Sequence, residues 1–344
     1  MTEREPMRLV VFGITGHLGQ QLVEKLSESD WPISELVGVA SSGSAGAEFE
    51  FRGEALDVES TWPVLKGRDL VFICTPPSEA LEVVREALRA EVPCIDCTGA
   101  LANQSDVPMP GPTEVAPTAG EVDPLASAPL LLVPSGTTLA WAPIFEALSV
   151  SRAIGTVLCS ASALGKKGAM ALSEESISLF NQSSGSEGGP AGQPVAFDVI
   201  PGGGIDCDRV RAESERLFGE GLRLDLASIQ VPTFVGEGAS LSMELNDPLS
   251  AEAVQAKLGA IDGVTLAQDG LGSRGLVAVE EESGTPIGPT LRDAIGSDEI
   301  LVGRIEPDAT LPVGLGWRLW LACDPLRLTA DQALRLARRR LGLA

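Results

Sequence analysis

The chain has 344 residues, enough for two domains that each bury a core, and it carries 48 acidic and 25 basic residues. The net charge of −23 argues against nucleic acid and anionic membranes as partners, because both attract basic surfaces. Aromatic residues make up 4% and tyrosine is absent, so side chains that stack on unpaired bases are scarce.

The first part of the chain alternates short apolar, β-branched runs with amphipathic segments. One helix is predicted to begin near Leu18 and end before residues 29–32, and a second, amphipathic helix covers 79–90 with Leu81, Val84 and Leu88 on one stripe. Strands are predicted at residues 8–13, 36–40, 70–74, 92–96 and 130–133. This alternation predicts a mostly parallel sheet.

The pattern changes after about Pro134. A Gly/Ser-rich loop is predicted at 181–192, and a final helix is capped by Thr329. Two further helices, at 173–180 and 206–218, precede four longer strands at 228–235, 240–245, 299–305 and 316–322. Partial alternation near residues 317–323 favours an antiparallel, half-buried sheet in this part of the chain.

A glycine-rich loop, GITGHLG at residues 13–19, follows the first strand and opens the first helix. Glycines at this spacing allow a tight turn and close approach of a phosphate to the helix N-terminus. The candidate cofactor-binding residues lie in this loop and after the next two strands: Gly13, Thr15, Gly16, His17, Leu18, Gly19, Ser41, Ser42 and Thr75. The alternative is a strand-to-helix turn that has lost its ligand.

The residues after the second strand do not select between NAD and NADP. An acidic residue here would hold a ribose 2′-hydroxyl, and an arginine would hold a 2′-phosphate. The chain has Ala40-Ser41-Ser42-Gly43-Ser44 instead. Serine hydroxyls can bind either group, so NADP and NAD are both retained as candidate cofactors.

The six cysteines lie mostly in apolar runs, and residues 1–6 are charged rather than typical of a signal peptide. Reduced thiols in a cytoplasmic protein are the simplest interpretation, and no stretch is apolar enough to span a membrane. Cys94 and Cys97 form a CxxC without a second ligand pair. We therefore expect no metal site.

Six segments, in the same order and spread over the whole chain, resemble the aspartate-semialdehyde dehydrogenase family. They are the glycine loop, residues 94–108, SASALGKKG at 160–168, AFDVIP at 196–201, the stretch around DAIGSDEILVGRI within 284–305, and DPLR at 324–327. The resemblance implies an α/β fold. A Rossmann-like dinucleotide-binding domain would comprise residues 1–135 and 324–344. An α+β domain with a mixed or antiparallel sheet, residues 136–323, would form a homodimer.

The resemblance also implies a chemistry in which a cysteine thioester, a histidine acid/base and several arginines convert an acyl phosphate to an aldehyde with NADPH. This chain has other residues at those positions. Gly136 stands at the cysteine position and Glu237 at the histidine position. The arginine positions hold Gln230, Ala102 and Gly43, the glutamine position holds Glu175, and the lysine position holds Arg209.

Glycine has no nucleophile, so we predict that thioester formation is lost and that no residue is catalytic in that reaction. Among relatives, the chain resembles the Usg-type paralogues, which lack the cysteine, and here the histidine is missing as well. The predicted function is a nucleotide-binding and dimerising scaffold that binds a nucleotide or an unidentified protein partner. The alternative is an active NAD(P)-dependent reductase that uses Glu237 or Glu175 as acid/base.

Other nucleophiles are weaker candidates in the sequence. Cys97 and Cys159 have no histidine nearby in the chain, although a catalytic thiol needs a lowered pKa. Hydroxyl groups are also present at Ser135, Thr137 and Thr138, but no base partner for them is visible in the sequence.

Overall fold

The structure, a computed structural model, describes residues 6–44, 46–114, 123–182, 189–267 and 288–343. It forms two compact units, one of Met1–Gly136 with Thr329–Ala344 and one of Thr137–Leu328. Within these described ranges, each unit contains a seven-stranded sheet and helices, which confirms the predicted α/β class. The predicted loop at 181–192 and the segment at 284–305 lie partly outside the described residues.

The first unit is built on a mostly parallel sheet with strand order β3-β4-β2-β1-β5-β6-β7. Its elements are β1 Met7–Phe12, α1 His17–Glu28, β2 Ile33–Val39, β3 Glu48–Phe51, β4 Glu54–Glu59, β5 Leu70–Ile73, α2 Pro77–Arg89, β6 Cys94–Asp96 and β7 Leu130–Leu132. Only β3 pairs antiparallel, with β4, and it lies at the edge of the sheet. The carboxyl ends of β1, β2 and β5 therefore meet at one edge of the sheet.

Of the apolar stripe predicted for α2, only Val84 is buried. The helix buries Ala80, Val83, Val84 and Ala87. Leu81 and Leu88, which the prediction placed on the stripe, are exposed. Small alanines face the neighbouring elements because they let the helix approach closely, and the larger leucines lie toward solvent.

The second unit contains a mixed sheet with strand order β12-β13-β14-β11-β8-β10-β9. Its elements are α3 Gly136–Leu148, β8 Val150–Cys159, α4 Gly165–Phe180, β9 Ile200–Pro201, α5 Cys207–Phe218, β10 Arg223–Gln230, β11 Glu237–Leu245, α6 Ala251–Gly259, β12 Val264–Leu266, α7 Leu291–Ala294, β13 Ile300–Pro307 and β14 Gly316–Cys323. Strand β10 occupies 223–230 rather than the predicted 228–235. It ends before Pro232, which cannot donate to a strand ladder.

The core of the second unit lies between helix α3 and the sheet. Trp141, Ile144 and Phe145 of α3 are buried against β8 and β11. Gly155 on β8 has no room for a side chain, because a Cβ there would collide with the Trp141 ring. The sequence pattern did not reveal α3, since GTTLAWAPIFEAL is apolar on all sides rather than amphipathic.

The last helix, α8, extends over Pro325–Arg340 and begins one turn earlier than predicted. Asp324 caps it by accepting hydrogen bonds from backbone N–H groups of the first turn. Thr329, the predicted cap, is buried inside the helix instead. Across the described ranges, no helix is both long and apolar enough to cross a membrane.

Candidate functional site

The glycine loop forms a tight strand–turn–helix connection in the first unit. Gly13 has a φ of +82°, and a Cβ there would collide with the carbonyl oxygen of Cys74. A Cβ on Gly19 would collide with the carbonyl oxygen of Gly13, and the Gly16 N–H donates to that same oxygen at 3.0 Å. The turn itself therefore requires these glycines, and α1 begins at His17 immediately after it.

The other predicted cofactor residues of this unit follow adjacent parallel strands. Thr15 Oγ1 lies 3.3 Å from Ser44 Oγ, which joins the glycine loop to the turn after β2 that holds Ser41 and Ser42. Thr75 follows β5, and its buried Oγ1 has no hydrogen-bond partner among the described residues. This juxtaposition is typical of the nucleotide-binding edge of a parallel sheet.

In the second unit, four strands place one residue each in a single transverse row. The register pairs Cys159 of β8 with Gln230 on β10 and with Glu237 on β11. Glu237 is also paired with Cys323 of β14. Residues in register across neighbouring strands share a face of the sheet, and here that face is the buried one against α3. We call these four residues the strand-end row.

Glu237 is a buried carboxyl with one hydrogen bond. Its side chain is only 3% exposed, and its Oε2 accepts a hydrogen bond of 3.0 Å from Thr137 Oγ1. Its Oε1 has no hydrogen-bond partner among the described residues. Burial raises the pKa of Glu237 to about 7, and the Thr137 hydrogen bond opposes part of that rise. The group can therefore gain or lose a proton near neutral pH.

The thiols of the strand-end row are poor nucleophiles. Burial, with a contribution from the Glu237 charge, raises the pKa of Cys159 and of Cys323 above the ordinary thiol value. Burial similarly raises the pKa of Cys94, in the first unit, to about 12. Because the thiolate is the reactive form, these raised pKa values lower the share of each thiol that is reactive at neutral pH.

Gln230 is held in the row by its amide nitrogen. Its Nε2 donates to the carbonyl oxygen of Cys159 at 2.8 Å, while its buried Oε1 has no hydrogen-bond partner among the described residues. Gly204, with a φ of +80°, packs directly on these two side chains. A Cβ at Gly204 would lie 3.0 Å from Cys159 Sγ and 3.1 Å from Gln230 Oε1.

The remaining predicted residues of this unit form local structural contacts. Glu175 accepts backbone hydrogen bonds from Val195 at 2.6 Å and Ala196 at 3.0 Å, and so it ties α4 to the segment before β9. Arg209 forms a 2.6 Å ion pair with Glu213. Ala102, one of the three positions where the resemblance implies an arginine, is buried in the first unit.

The first turn of α3 connects two carboxylates that the sequence did not link. Thr137 binds Glu237, and the next residue, Thr138, donates to Glu213 Oε2 at 2.6 Å. Glu213 in turn holds Arg209. These partners are separated by 100 and 75 residues, so no local motif could have shown them. Gly136, which opens α3, directly precedes both threonines.

The strand-end row supplies one carboxyl that exchanges a proton near neutral pH, Glu237, and two buried, protonated thiols, Cys159 and Cys323. Arg209 is paired with Glu213. Among the described residues, no group of three or more His, Cys, Asp or Glu side chains could hold a metal ion. The fold and the site together define an α/β protein with a dinucleotide-type glycine turn and a second unit organised around buried carboxyls.

Both parts of the chain match models of known protein domains. Residues 8–119 match the semialdehyde dehydrogenase NAD-binding domain, and residues 141–328 match the semialdehyde dehydrogenase dimerisation domain. The chain belongs to the semialdehyde dehydrogenase family. The resemblance inferred from the six sequence segments is thereby confirmed.

Similar proteins cover nearly the whole chain. Aspartate-semialdehyde dehydrogenase 2 of Vibrio cholerae is 26% identical over 97% of both chains. A USG-1 protein homolog of Pseudomonas aeruginosa is 26% identical over 94% of both. The crystal structure of aspartate semialdehyde dehydrogenase II from Vibrio cholerae in complex with ASA matches with a TM-score of 0.83 at 25% identity, covering 99% of each chain.

Proposed function

We propose that this chain is a member of the family that no longer forms the acyl thioester and that keeps a scaffold for dinucleotide binding and dimerisation. The observation that carries the proposal is the contact at the start of α3. The resemblance puts the nucleophile at Gly136, and the adjacent Thr137 binds Glu237, which stands at the histidine position. A glycine beside a threonine–carboxyl hydrogen bond offers no sulfur and no imidazole.

No other thiol on the strand-end row replaces the missing nucleophile. Cys159 and Cys323 are buried, and their pKa values are raised, so their thiolate populations are small at neutral pH. Loss of one member of a catalytic unit commonly lowers turnover by on the order of 10⁴-fold.

The charges of the second unit also oppose an acyl phosphate. Gln230 is neutral, and Glu213 neutralises Arg209 at 2.6 Å. Glu237 adds a negative charge when ionised. An anionic substrate would therefore meet repulsion in place of the cationic anchors that carboxylate and phosphate groups require.

Dinucleotide binding is proposed from the first unit. The tight glycine turn brings the start of α1 close to Thr15, Ser44 and Thr75, which offer hydroxyl groups at one edge of the sheet. NADP and NAD both fit this chemistry, because no acidic or arginine side chain follows β2 directly. Calorimetric titration with NADPH and with NADH tests it, and no heat of binding from either would contradict this part of the proposal.

Loss of the reaction is tested by following NADP reduction with aspartate semialdehyde and phosphate. We expect no turnover from the natural chain. A Gly136→Cys/Glu237→His double variant is measured in the same assay. Any activity that it gains shows that the scaffold still positions substrate and cofactor correctly. Phosphate-dependent turnover by the natural chain would contradict the proposal.

A second candidate function is reduction without a covalent intermediate, with Glu237 as acid/base. It is favoured by one observation, the buried carboxyl whose Oε1 has no partner and whose pKa is about 7, a property common at active sites. Glu175 is less suited, because it is bound to two backbone N–H groups. Turnover of any aldehyde that disappears in Glu237→Gln would establish this alternative.

We also propose a homodimer formed through the second unit. Phe180 is 77% exposed and Phe197 is 68% exposed, and their rings contact edge-on with centroids 5.7 Å apart. Further large apolar side chains are exposed in the second unit: Met170, Ile177, Leu179, Val199 and Phe234. Exposed apolar surface of this kind marks an interface.

Sedimentation tests the dimer. A Phe180→Ser/Phe197→Ser double variant should sediment as a monomer, whereas Val313→Ser, at a side chain that is 99% exposed in the same unit, should remain dimeric. A natural chain that is monomeric on its own would instead point to a different protein as the partner. A cytoplasmic location belongs to the same proposal and is supported by the six cysteines, none of which forms a disulfide in the described structure.

A further inference from the structure

The strand-end row contains two buried oxygen atoms without a hydrogen-bond partner among the described residues. They are Gln230 Oε1, on a side chain 1% exposed, and Glu237 Oε1. A buried polar atom left without a partner costs about 1–3 kcal/mol, so folded proteins normally satisfy such atoms with protein, water or a ligand. An amide oxygen and an ionised carboxylate only accept hydrogen bonds, so both atoms call for a donor.

The two acceptors belong to residues on the same face of the sheet, two strands apart. Gln230 and Glu237 are both in register with Cys159, on the strands at either side of it. A strand spacing of about 4.8 Å puts their backbones roughly 10 Å apart, and both side chains rise from the same face. The Gly204 backbone covers the Gln230 end, while Thr137 holds the other oxygen of Glu237.

The charge of the Glu237 carboxylate favours a hydrogen-bond donor that is itself positively charged. In the described part of the chain, Glu237 forms no ion pair, and its Oε2 accepts a hydrogen bond from the neutral Thr137 hydroxyl. The thiols beside it, Cys159 and Cys323, stay neutral because their pKa values are raised. A buried carboxylate without a counter-ion is costly, and a cation that donates hydrogen bonds relieves that cost.

We propose that Gln230 and Glu237 form a binding site for a small primary ammonium group, held by Gln230 Oε1 and Glu237 Oε1. An ammonium carries three donors and a positive charge, so it can satisfy both acceptors and neutralise the carboxylate. The inference rests on the proposed function, because in a site that had kept the family reaction the resemblance implies an arginine and a histidine at these two positions.

Methylammonium is the probe, and tetramethylammonium, a cation without N–H donors, is its matched control. Binding to the full chain is measured by ligand-observed NMR at pH 8 and constant ionic strength, so that Glu237 is ionised. We expect saturable binding of methylammonium and none of tetramethylammonium. Glu237→Gln should weaken methylammonium binding about tenfold or more, since it removes the negative charge that pairs with the ammonium and leaves only a neutral acceptor.

Two further variants control for indirect effects. Glu244→Gln alters a glutamate at the far end of the same strand and should leave methylammonium binding unchanged. Gln230→Met, which removes the second acceptor but keeps the side-chain length, should weaken it even if Glu237→Gln proves unstable. Equal responses to the two ammonium ions, or full binding by both Glu237→Gln and Gln230→Met, would overturn the proposal.

A structure determined from crystals grown in methylammonium tests the site independently of the binding measurements. Density for the ion between Gln230 Oε1 and Glu237 Oε1 is expected, and ordered water alone in that position would refute the site. These experiments contain no dinucleotide and no aldehyde. A negative result would therefore leave the tests of the proposed function intact, and dehydrogenase turnover would overturn the proposed function without any methylammonium measurement.

Discussion

Replacing Glu237 with glutamine tests whether burial of this carboxyl makes the second unit sensitive to pH. The carboxyl has a usual pKa of 4.5, and burial in the folded chain raises that pKa to about 7. Between these values the folded state holds a proton that the unfolded state releases. The free energy of unfolding therefore falls as the pH rises through this window, and the full loss is present above about pH 7.

The size of the effect follows from the two pKa values. The difference between 4.5 and 7 corresponds to about 3 kcal/mol of stability. Glutamine cannot ionise, so Glu237→Gln should gain about 3 kcal/mol relative to the natural chain between pH 4.5 and pH 8. Its amide nitrogen adds a cost of about 1–3 kcal/mol for a buried donor, but this cost is the same at both pH values and cancels.

Hydrogen exchange of the β8 and β11 amides, measured at both pH values and corrected for intrinsic rates, reports the opening free energy of the second unit. Met243→Leu is the control, because it lies buried on the same strand and does not titrate. Its difference from the natural chain should be independent of pH. If the difference between the natural chain and Glu237→Gln also stays constant with pH, the assignment of a raised pKa to Glu237 is refuted.

Two other substitutions test the packing around the site. Gly19→Ala should lower the stability of the first unit by about 1–3 kcal/mol, since the added Cβ collides with the Gly13 carbonyl. Gly43→Ala, whose Cβ would have its nearest neighbour at 3.8 Å, should change little, and equal melting shifts would contradict this account. Arg209→Met should cost about 3 kcal/mol in urea unfolding because it leaves the Glu213 charge buried, whereas Arg89→Met should cost under about 1 kcal/mol because it removes an exposed pair. Similar costs for the two would show that the buried pair is not an energetic anchor.

The parallel sheet could be predicted because its central strands are continuous apolar runs separated by amphipathic helices. The β3–β4 hairpin was missed because its sequences, EFEF and EALDVE, place glutamates along an exposed edge and lack an apolar run. Helix α3 was missed for the opposite reason, since it is apolar on every side. Tertiary packing rather than local pattern determines both elements.

The candidate site also contains a part that local sequence predicts and a part that depends on tertiary packing. The glycine loop is local in sequence, and the strand–turn–helix context around it was predictable from residues 8–28. The bond between Thr137 and Glu237 joins residues 100 positions apart and depends on the register of β8 and β11. The carboxyl that accepts the hydrogen bond of the Thr137 hydroxyl was not visible in the sequence, because the fold of the sheet brings it there. The resemblance could suggest Glu237 as the histidine position but could not show what Glu237 binds.

The most direct test of the central claim is the rate of NADPH formation by the natural chain from NADP, aspartate semialdehyde and phosphate, at cofactor concentrations that saturate binding in calorimetry. Because the resemblance implies the nucleophile at Gly136 and the acid/base at Glu237, the predicted rate equals that of the mixture without protein. A protein-dependent rate that requires phosphate and disappears in Glu237→Gln would contradict the loss of the reaction.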